Sequence, residues 1–248
     1  MNDKKILVLY YSQTHATEQM AQYIQQQLNA DIASIELTDP YDPDYDSTIA
    51  RGKRELDNKE WPELKPLNVK VDDYDIVFLG FPVWFGTYAN PIASLLEQVD
   101  FNGKQVVPIA TFGSGGLRSS IAHLKEVAPK AEILGSIGCR RALMDQLMTD
   151  EVDRVLVNLG LIDGKAEEPL PYSEQKAVTA ADKEIFVKAV GDYPMLKARP
   201  LTCGTREVKK GTEYFFVAEN SFGGQTSNVE IYVTAPKNAD PYFTLVEH

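Results

Sequence analysis

The sequence is poor in the residues that make covalent cross-links and zinc sites. Its 248 residues include only two cysteines, Cys139 and Cys203, and they do not form a Cys-x-x-Cys pair. A disulfide framework and a cysteine-based zinc site are therefore excluded. We expect two ordinary thiols, as in a cytoplasmic protein.

Histidine is equally scarce, which limits the hydrolytic and metal chemistry that the chain can carry. The three histidines are His15, His123 and His248, and no Ser-His-Asp set or metal-ligand spacing surrounds any of them. His123 falls within a helical pattern, so we expect a surface or packed side chain rather than a ligand. No pair of catalytic carboxylates can be picked out either. The sequence therefore assigns no catalytic side chain and no metal site.

Positive charge and long apolar runs are lacking as well. Lys and Arg number 25 against 36 Asp and Glu, which gives a formal net charge of -11. An acidic chain is a poor non-specific ligand for nucleic acid or for an anionic membrane surface. No stretch reaches the ~18 apolar residues of a membrane helix, and residues 6–11 are too short for the apolar core of a secretion signal. We expect a cytoplasmic protein without nucleic-acid or membrane partners.

What the sequence does contain, up to residue 162, is an alternation of apolar runs with helical patterns. The apolar runs, which read as strands, are residues 6–11, 32–37, 76–81, 106–111 and 133–137. The helical patterns are residues 17–28, 91–99, 119–127 and 151–161. This alternation is typical of a parallel sheet covered by helices on both faces. It predicts a doubly wound, five-stranded α/β domain in three layers, with ligand-binding residues just after strands one, three and four.

Residues 38–68 break the alternation. Asp39, Asp42, Asp44 and Asp46 are interleaved with tyrosines and prolines, and a charged helical segment follows. An acidic run of this kind is usually a solvated surface. A docking face for a basic redox partner is the alternative interpretation.

The pattern changes again after residue 164. A proline-containing linker, residues 167–171, leads into one helical pattern, residues 179–190. Only strand-like segments follow, at residues 196–203, 212–219, 229–234 and 242–246. One helix followed by antiparallel strands is typical of a separate α+β unit. We therefore predict two domains, residues 1–164 and 165–248.

The first candidate site is a polar cluster at the end of strand one. Ser12, Thr14 and Thr17 place three hydroxyls in six residues, where a strand leads into a helix. Unpaired backbone N–H groups and the positive end of the helix dipole favour an anion at such a turn. A helix N-cap would explain one of these hydroxyls. Three of them favour a phosphate site that needs no Lys or Arg.

This cluster and two further motifs resemble the flavodoxin family over residues 4–162. Ser12-x-Thr14-x-x-Thr17 is similar to the loop with which flavodoxins hold the phosphate of FMN. Residues 80–92, GFPVWFGTYANPI, and residues 111–120, TFGSGGLRSS, resemble the two loops that hold the isoalloxazine ring. The chain departs from the family at His15, where glycine is usual. Histidine tolerates the left-handed backbone of such a loop better than most residues do.

The resemblance implies FMN as the cofactor and a set of cofactor-binding residues on the three loops. These residues are Ser12, Gln13, Thr14, His15, Ala16, Thr17, Pro82, Val83, Trp84, Phe85, Gly86, Thr111, Phe112, Gly113, Ser114, Gly115 and Gly116. An aromatic pair after strand three suits the cover of a flat ring, although Trp84 and Phe85 could instead be core aromatics. The glycine-rich turn is a weak signal by itself and gains weight from its position after strand four.

The C-terminal part carries a second resemblance. Residues 192–220, with the helix before them and the VEIYVTA segment after them, are similar to the cystatin unit of one helix wrapped by an antiparallel sheet. The positions that match the family's protease-blocking Gln-x-Val-x-Gly hairpin read Glu207-Val208-Lys209-Lys210-Gly211. The apolar wedge is lost, so the resemblance implies the fold without protease inhibition. Any other small α+β domain is the alternative.

Three functions remain open at this point. The leading hypothesis is an FMN-binding redox protein, in which the cofactor carries the chemistry. A NAD(P)H-dependent reductase of quinone-like acceptors is preferred over a one-electron carrier, because the loop after strand four has only one aromatic, Phe112, and a cation, Arg118. The third hypothesis is a flavin-free binding module on the same fold. The expected partner is a small-molecule or protein redox partner, with NAD(P)H as one candidate; a homodimer and the enzymatic role stay open.

Overall fold

The structure is a computed structural model that describes residues 4–166, 169–191, 193–194, 196–222 and 224–248. The chain divides into two compact units, Met1–Glu167 and Glu168–His248. The linker residues Glu167 and Glu168 lie outside the described residues, as does Asp192, the first residue of the cystatin-like segment. Each unit is described by itself.

The first unit is built from alternating strands and helices. In chain order they are β1 (Ile6–Tyr10), α1 (Ala16–Leu28), β2 (Asp31–Ser34), α2 (Tyr45–Asn58), β3 (Ile76–Trp84), β4 (Thr87–Tyr88), α3 (Asn90–Gln98), β5 (Gln105–Phe112), α4 (Leu117–Val127), β6 (Glu132–Ile133), β7 (Ile137–Arg140) and α5 (Met144–Asn158). The strand order is β2-β1-β3-β5-β6, all parallel, and β7 continues along β5 beyond β6. The predicted doubly wound α/β fold is confirmed.

The central strands are apolar because both faces of the sheet are covered. Leu7, Val8 and Leu9 are all fully buried, as are Phe78 and Ile109. One face packs against α1 and α5 in a single core cluster. A strand with alternating apolar and polar residues would have one face exposed to solvent. A continuous apolar run fits a strand that is covered on both faces of the sheet.

The fifth strand position differs from the prediction. The sequence predicts one strand over residues 133–137, whereas the structure has the two short strands β6 and β7 on the same side of β5. β6 pairs with Gln105 and Val106, and β7 resumes at Ile109. The break therefore lies opposite Pro108, which has no N–H for a β-ladder. The helix after β7 also begins earlier than predicted, at Met144.

Residues 38–68, where the alternation breaks, contain α2. Asp44 caps this helix, because its carboxylate accepts a hydrogen bond of 2.9 Å from the backbone N–H of Ser47. The acidic side chains before the helix are exposed, as expected for a solvated surface. The segment also has buried residues, among them Tyr41 and Glu55, with 5% and 6% of their surface exposed.

In its described part, the second unit contains one helix and an antiparallel sheet, which confirms the predicted α+β class. Its elements are β8 (Lys176–Ala177), α6 (Ala180–Val190), β9 (Ala198–Val208), β10 (Gly211–Phe222), β11 (Gln225–Pro236) and β12 (Tyr242–Glu247). The strands lie in the order β12-β11-β10-β9-β8. A capping box between Thr179 and Asp182 starts α6, and Phe186 packs on Phe216 with 5.1 Å between ring centroids. The specific likeness to cystatins stays a prediction. Among the described residues, no helix combines the length and the apolar character that a bilayer crossing requires.

Candidate functional site

Three loops meet at one edge of the first unit's sheet. β1, β3 and β5 are neighbours in the parallel order, so their carboxyl ends lie side by side. Residues 11–15 leave β1, residues 85–86 leave β3, and residues 113–116 leave β5. Ligands of doubly wound folds bind outside this edge. The sheet topology thus brings together the three motifs that the sequence singled out.

The loop after β1 keeps the backbone expected for a glycine although it carries a histidine. His15 precedes α1 with φ 63 and ψ -5, in the left-handed region. No side chain caps α1, so helix capping does not account for the hydroxyls of this loop. The N–H groups of the first helical turn have no partner within the helix. They are available to an anion at this terminus.

The three hydroxyls of this loop have three different environments. The Ser12 Oγ is buried and has no hydrogen-bond partner among the described residues. Thr14 is exposed. The Thr17 side chain is buried, and its Oγ1 lies 2.7 Å from Oγ1 of Thr111, which ties α1 to the end of β5. A buried hydroxyl without a partner is costly, so the Ser12 Oγ is the group that calls for a ligand.

The His15 ring points outward beside a carboxylate. Its side chain is 88% exposed, and Nδ1 lies 2.6 Å from Oε2 of Glu18. Glu18 also accepts a hydrogen bond of 3.3 Å from the Tyr10 hydroxyl. Burial, followed by the Glu18 charge, raises the pKa of Tyr10. A cleft of about 310 Å³ adjoins this loop, and Arg141 is one of the residues that line it.

The loop after β3 is a tight hairpin that presents an aromatic pair. Phe85 and Gly86 have φ values of 52 and 80. They connect β3 to β4, where Trp84 pairs with Thr87 and Val83 with Tyr88. Two consecutive left-handed residues indicate a type I′ turn, for which glycine at the second position is favoured. Phe85 is 39% exposed. Pro82, Val83 and Trp84 are half-buried.

Trp84 is held by aromatic side chains on two sides. Its ring meets Tyr11 edge-on at a centroid distance of 6.0 Å and Tyr41 at 5.0 Å, with interplanar angles of 89° and 87°. Edge-to-face pairs at these distances are favourable contacts for aromatic rings. Trp84 is therefore neither a core aromatic nor a loose surface ring, but a half-buried ring with a fixed orientation.

The strand β5 ends with two buried residues, and the loop that follows it ends against the hairpin. Thr111 and Phe112 are 4% and 5% exposed, so neither side chain is presented to solvent. Gly116 has φ 97, and a Cβ there would lie 2.6 Å from Cγ1 of Val83. The Ser119 hydroxyl donates a hydrogen bond to the carbonyl oxygen of Gly86. These contacts join the second and third loops.

The first residue of this loop, Gly113, is contacted from β7, the strand that pairs with the end of β5. Arg140, the last residue of β7, donates a hydrogen bond of 2.9 Å from Nε to the carbonyl oxygen of Gly113. Ser114 and Gly115 are half-buried beside it. The sequence analysis missed Arg140, and its only signal is a basic residue at the end of the fifth strand position. It also missed Tyr11 and Tyr41, because no local signal separates the buried Tyr41 from Tyr45 of the same acidic run, which is 72% exposed.

The fold is that of a doubly wound α/β protein, and its three loops meet at the edge of the sheet where such folds bind ligands. A sequence model described as Flavodoxin matches residues 5–155. The chain belongs to the flavodoxin family. Flavodoxin 1 of Salmonella typhimurium (strain LT2) and Flavodoxin 1 of Escherichia coli (strain K12) are each 30% identical to it over 112 residues, which cover 44% of this chain and 48% of theirs. The chain thus spans about half the length of these curated relatives.

Two solved structures are similar to this chain. A flavoprotein of Lactobacillus acidophilus NCFM, solved in complex with FMN, is 27% identical with a TM-score of 0.50; the match covers 58% of this chain and 97% of that one. A Bacteroides eggerthii DSM 20697 protein is 26% identical with a TM-score of 0.51, over 60% of this chain and 98% of that one. Both matches therefore include almost the whole of the shorter chain.

Proposed function

We propose that this chain is a flavoprotein that binds FMN at the carboxyl edge of its parallel sheet and uses it for redox chemistry. The observation that carries the proposal is the Ser12 Oγ, which is buried without a hydrogen-bond partner among the described residues and lies in the loop before α1, whose N-cap residue His15 makes no side-chain cap. A dianionic phosphate would accept hydrogen bonds from this hydroxyl and from the first N–H groups of α1. Membership of the flavodoxin family and the likeness to a flavoprotein solved with FMN support the same cofactor.

The residues proposed to hold FMN fall into two groups. The residues proposed to hold the phosphate form the phosphate loop, and they are Ser12, Gln13, Thr14, His15, Ala16 and Thr17. The residues proposed to hold the isoalloxazine ring are Pro82, Val83, Trp84, Phe85, Gly86, Thr111, Phe112, Gly113, Ser114, Gly115 and Gly116. Because the side chains of Thr17, Thr111 and Phe112 are buried or already paired, we expect these three to contribute backbone and packing rather than side-chain donors.

The preferred reaction is two-electron reduction of a quinone-like acceptor at the expense of NAD(P)H. When bound, FMN supplies this chemistry by taking up a hydride and returning two electrons. Phe112 is buried, and residues 113–116 are glycine and serine only. The loop after β5 therefore offers no aromatic side chain to cover the site, which supports an open face for a nicotinamide or a quinone.

A one-electron carrier is the second candidate. The observation that favours it is the exposed acidic segment, with Asp39, Asp42, Asp44 and Asp46 all exposed. Negative charge on a rim steers a basic protein partner and raises its association rate more than its affinity. A carrier would therefore lose rate with a protein partner at high ionic strength, whereas a reductase of small uncharged quinones would not.

Titration of the purified chain with FMN and with riboflavin tests the cofactor. If the phosphate site is real, FMN binds about a hundredfold or more tighter than riboflavin, because two or more charge-assisted hydrogen bonds of ~1.5–3 kcal/mol each are missing for riboflavin. Equal affinity for both would contradict the phosphate site. A chain that takes up neither flavin is the flavin-free binding module.

Anaerobic reduction then separates the two redox hypotheses. A reductase is bleached by NADH or NADPH and regains its colour when a quinone is added. A carrier resists both nucleotides, and dithionite reduces it in two resolved one-electron steps. Complete reduction by a nicotinamide in a single step would exclude the carrier as the main role.

A further inference from the structure

We propose that Glu55 is a positioning residue for the flavin site, which acts through Tyr41 on Trp84. The inference rests on the proposed FMN site and goes beyond it, because no residue of α2 belongs to the three loops. Residues 38–68 were singled out in the sequence only for their charge. The structure gives two of their residues, Tyr41 and Glu55, a buried role next to the aromatic loop.

Glu55 is the hub of a buried hydrogen-bond network. Its Oε1 accepts a bond of 2.7 Å from Nε of Arg51, one turn earlier on α2. Its Oε2 accepts from the Tyr41 hydroxyl and, at 3.0 Å, from Nδ2 of Asn90. The donors come from α2, from the segment before it, and from the first residue of α3. One carboxylate thus joins three separate parts of the unit.

Tyr41 carries this anchoring to the aromatic loop. Its hydroxyl is bonded to Glu55, its ring meets Trp84 edge-on, and the Arg51 guanidinium lies over it at 4.4 Å from the ring centroid. Burial and the bond to Glu55 raise the pKa of Tyr41 far above its ordinary value. The hydroxyl therefore stays a hydrogen-bond donor across the physiological pH range.

The backbone of α2 touches the same loop directly. A Cβ at Gly52 would lie 3.3 Å from Cε2 of Phe85 and 3.5 Å from Cε3 of Trp84. Asn90 donates a second bond, of 2.9 Å, to the carbonyl oxygen of Gly52. The network around Glu55 thus fixes the helix at the point where it supports both aromatic rings.

The same segment also reaches the phosphate loop. Tyr11, the second ring against Trp84, donates a hydrogen bond of 2.7 Å to Oε1 of Gln13. Gln13 in turn donates a bond of 3.2 Å to the carbonyl oxygen of Asp42. Two of the three flavin loops therefore depend on residues 41–55 for their position.

A role in stability alone is a poor explanation for this network. A buried ion pair is often no more stabilising than apolar side chains of the same size. Directional bonds from three elements to one carboxylate do what apolar packing cannot, since they select a single orientation of the Tyr41 ring. That ring in turn selects the orientation of Trp84.

Tyr41→Phe tests the inference, because it removes one hydroxyl and leaves Glu55 bonded to Arg51 and Asn90. The chain has two tryptophans, Trp61 and Trp84, so a Trp61→Phe background makes Trp84 the sole indole emitter. We expect Tyr41→Phe to change the emission and lower the anisotropy of Trp84 in the FMN-free protein. We also expect FMN affinity to fall about three- to tenfold, as for the loss of one net hydrogen bond.

Tyr23→Phe is the matched control. It also removes a tyrosine hydroxyl bonded to a carboxylate, here Asp153 at 2.9 Å, within the same unit but between α1 and α5. Its thermal unfolding should shift by a similar amount. Trp84 emission and FMN affinity should stay as in the parent.

Gly52→Ala approaches the same rings from α2. Alanine is the better helix former, so we expect this variant to fold. Its methyl would lie 3.3 Å from Cε2 of Phe85, which must give by a few tenths of an ångström, and would make a new contact with Trp84 at 3.5 Å. Altered Trp84 emission and weaker FMN binding in both Tyr41→Phe and Gly52→Ala support the inference. Parent-like FMN affinity in both variants overturns it, whether or not the emission changes.

Failure of the parent to bind FMN has a separate meaning. It would refute the proposed function, and the Trp84 emission of the FMN-free variants would still decide the positioning of this ring. Unchanged emission in both variants would then refute the positioning as well.

Discussion

Ser12→Ala removes the one hydroxyl of the phosphate loop that is buried without a partner among the described residues. If this hydroxyl donates to the phosphate of FMN, its loss costs a charge-assisted hydrogen bond of about 1.5–3 kcal/mol. At 1.4 kcal/mol for each factor of ten, the dissociation constant for FMN rises about ten- to a hundredfold. Riboflavin, which has no phosphate, should bind the parent and the variant equally well.

The same substitution should have the opposite effect on the FMN-free protein. A buried polar group without a partner costs roughly 1–3 kcal/mol, and alanine removes that group. Each kcal/mol is worth about 2–4 °C in a unit of this size, so the midpoint of thermal unfolding should rise by at least ~2 °C. Weaker FMN binding together with higher stability of the FMN-free protein is expected of a buried hydroxyl that gains a hydrogen-bond partner only when the cofactor binds.

Ser94→Ala serves as the control for this pair of measurements. The Ser94 hydroxyl is also buried, but it donates a bond of 2.7 Å to the carbonyl oxygen of Pro62. Its removal should lower the unfolding temperature and leave FMN affinity unchanged. Isothermal titration and differential scanning calorimetry on the three proteins give both quantities. An FMN affinity of Ser12→Ala within about twofold of the parent would refute the phosphate assignment, because one lost bond to a charged group is worth more than that.

Three further outcomes are expected. Gly116→Ala should lower both stability and FMN affinity, because its Cβ would lie 2.6 Å from a β3 side chain. Gly103→Ala, at φ 81 in open space, should lower stability alone. Equal FMN affinities of these two variants would contradict a role for the contact between the loops in FMN binding. His15→Val should lower the unfolding temperature by about 2–8 °C, because a left-handed backbone costs a β-branched residue ~1–2 kcal/mol. His15→Gly should not lower it, and identical melting curves for the two variants would contradict this expectation. Burial raises the pKa of Cys139 to about 12 and of Cys203 to about 11, so an aromatic disulfide reagent at pH 8 should titrate neither thiol before unfolding and both afterwards.

Local signals in the sequence were sufficient for most of the helices and strands of the first unit. The structure places α1 at Ala16–Leu28 and α4 at Leu117–Val127, against predicted helices at residues 17–28 and 119–127. Hydrophobic periodicity is a property of neighbouring residues, so it survives without knowledge of the fold. Periodicity failed where pairing decides the outcome, as at the fifth strand, which breaks into β6 and β7 opposite Pro108.

The site shows the same division between local and long-range information. The polar turn after β1, the Phe85–Gly86 turn and the glycines after β5 are visible in the sequence, because turn chemistry is local. Which hydroxyl would be left for a ligand was not visible. The sequence treated Ser12, Thr14 and Thr17 alike, whereas the structure pairs Thr17 with Thr111 and leaves the Ser12 Oγ buried without a partner among the described residues.

The sequence by itself determined the class of fold and predicted the three loops that the sheet topology brings to one edge. Tertiary structure alone decided the hydrogen-bond partners: Thr17 with Thr111, separated by 94 positions, and Tyr41, whose ring contacts Trp84, with Glu55. The physical reason is that burial can be inferred from the pattern of each segment. A directional bond between two segments exists only once folding has brought them together, as the strand order β2-β1-β3-β5 does for the ends of β1 and β5.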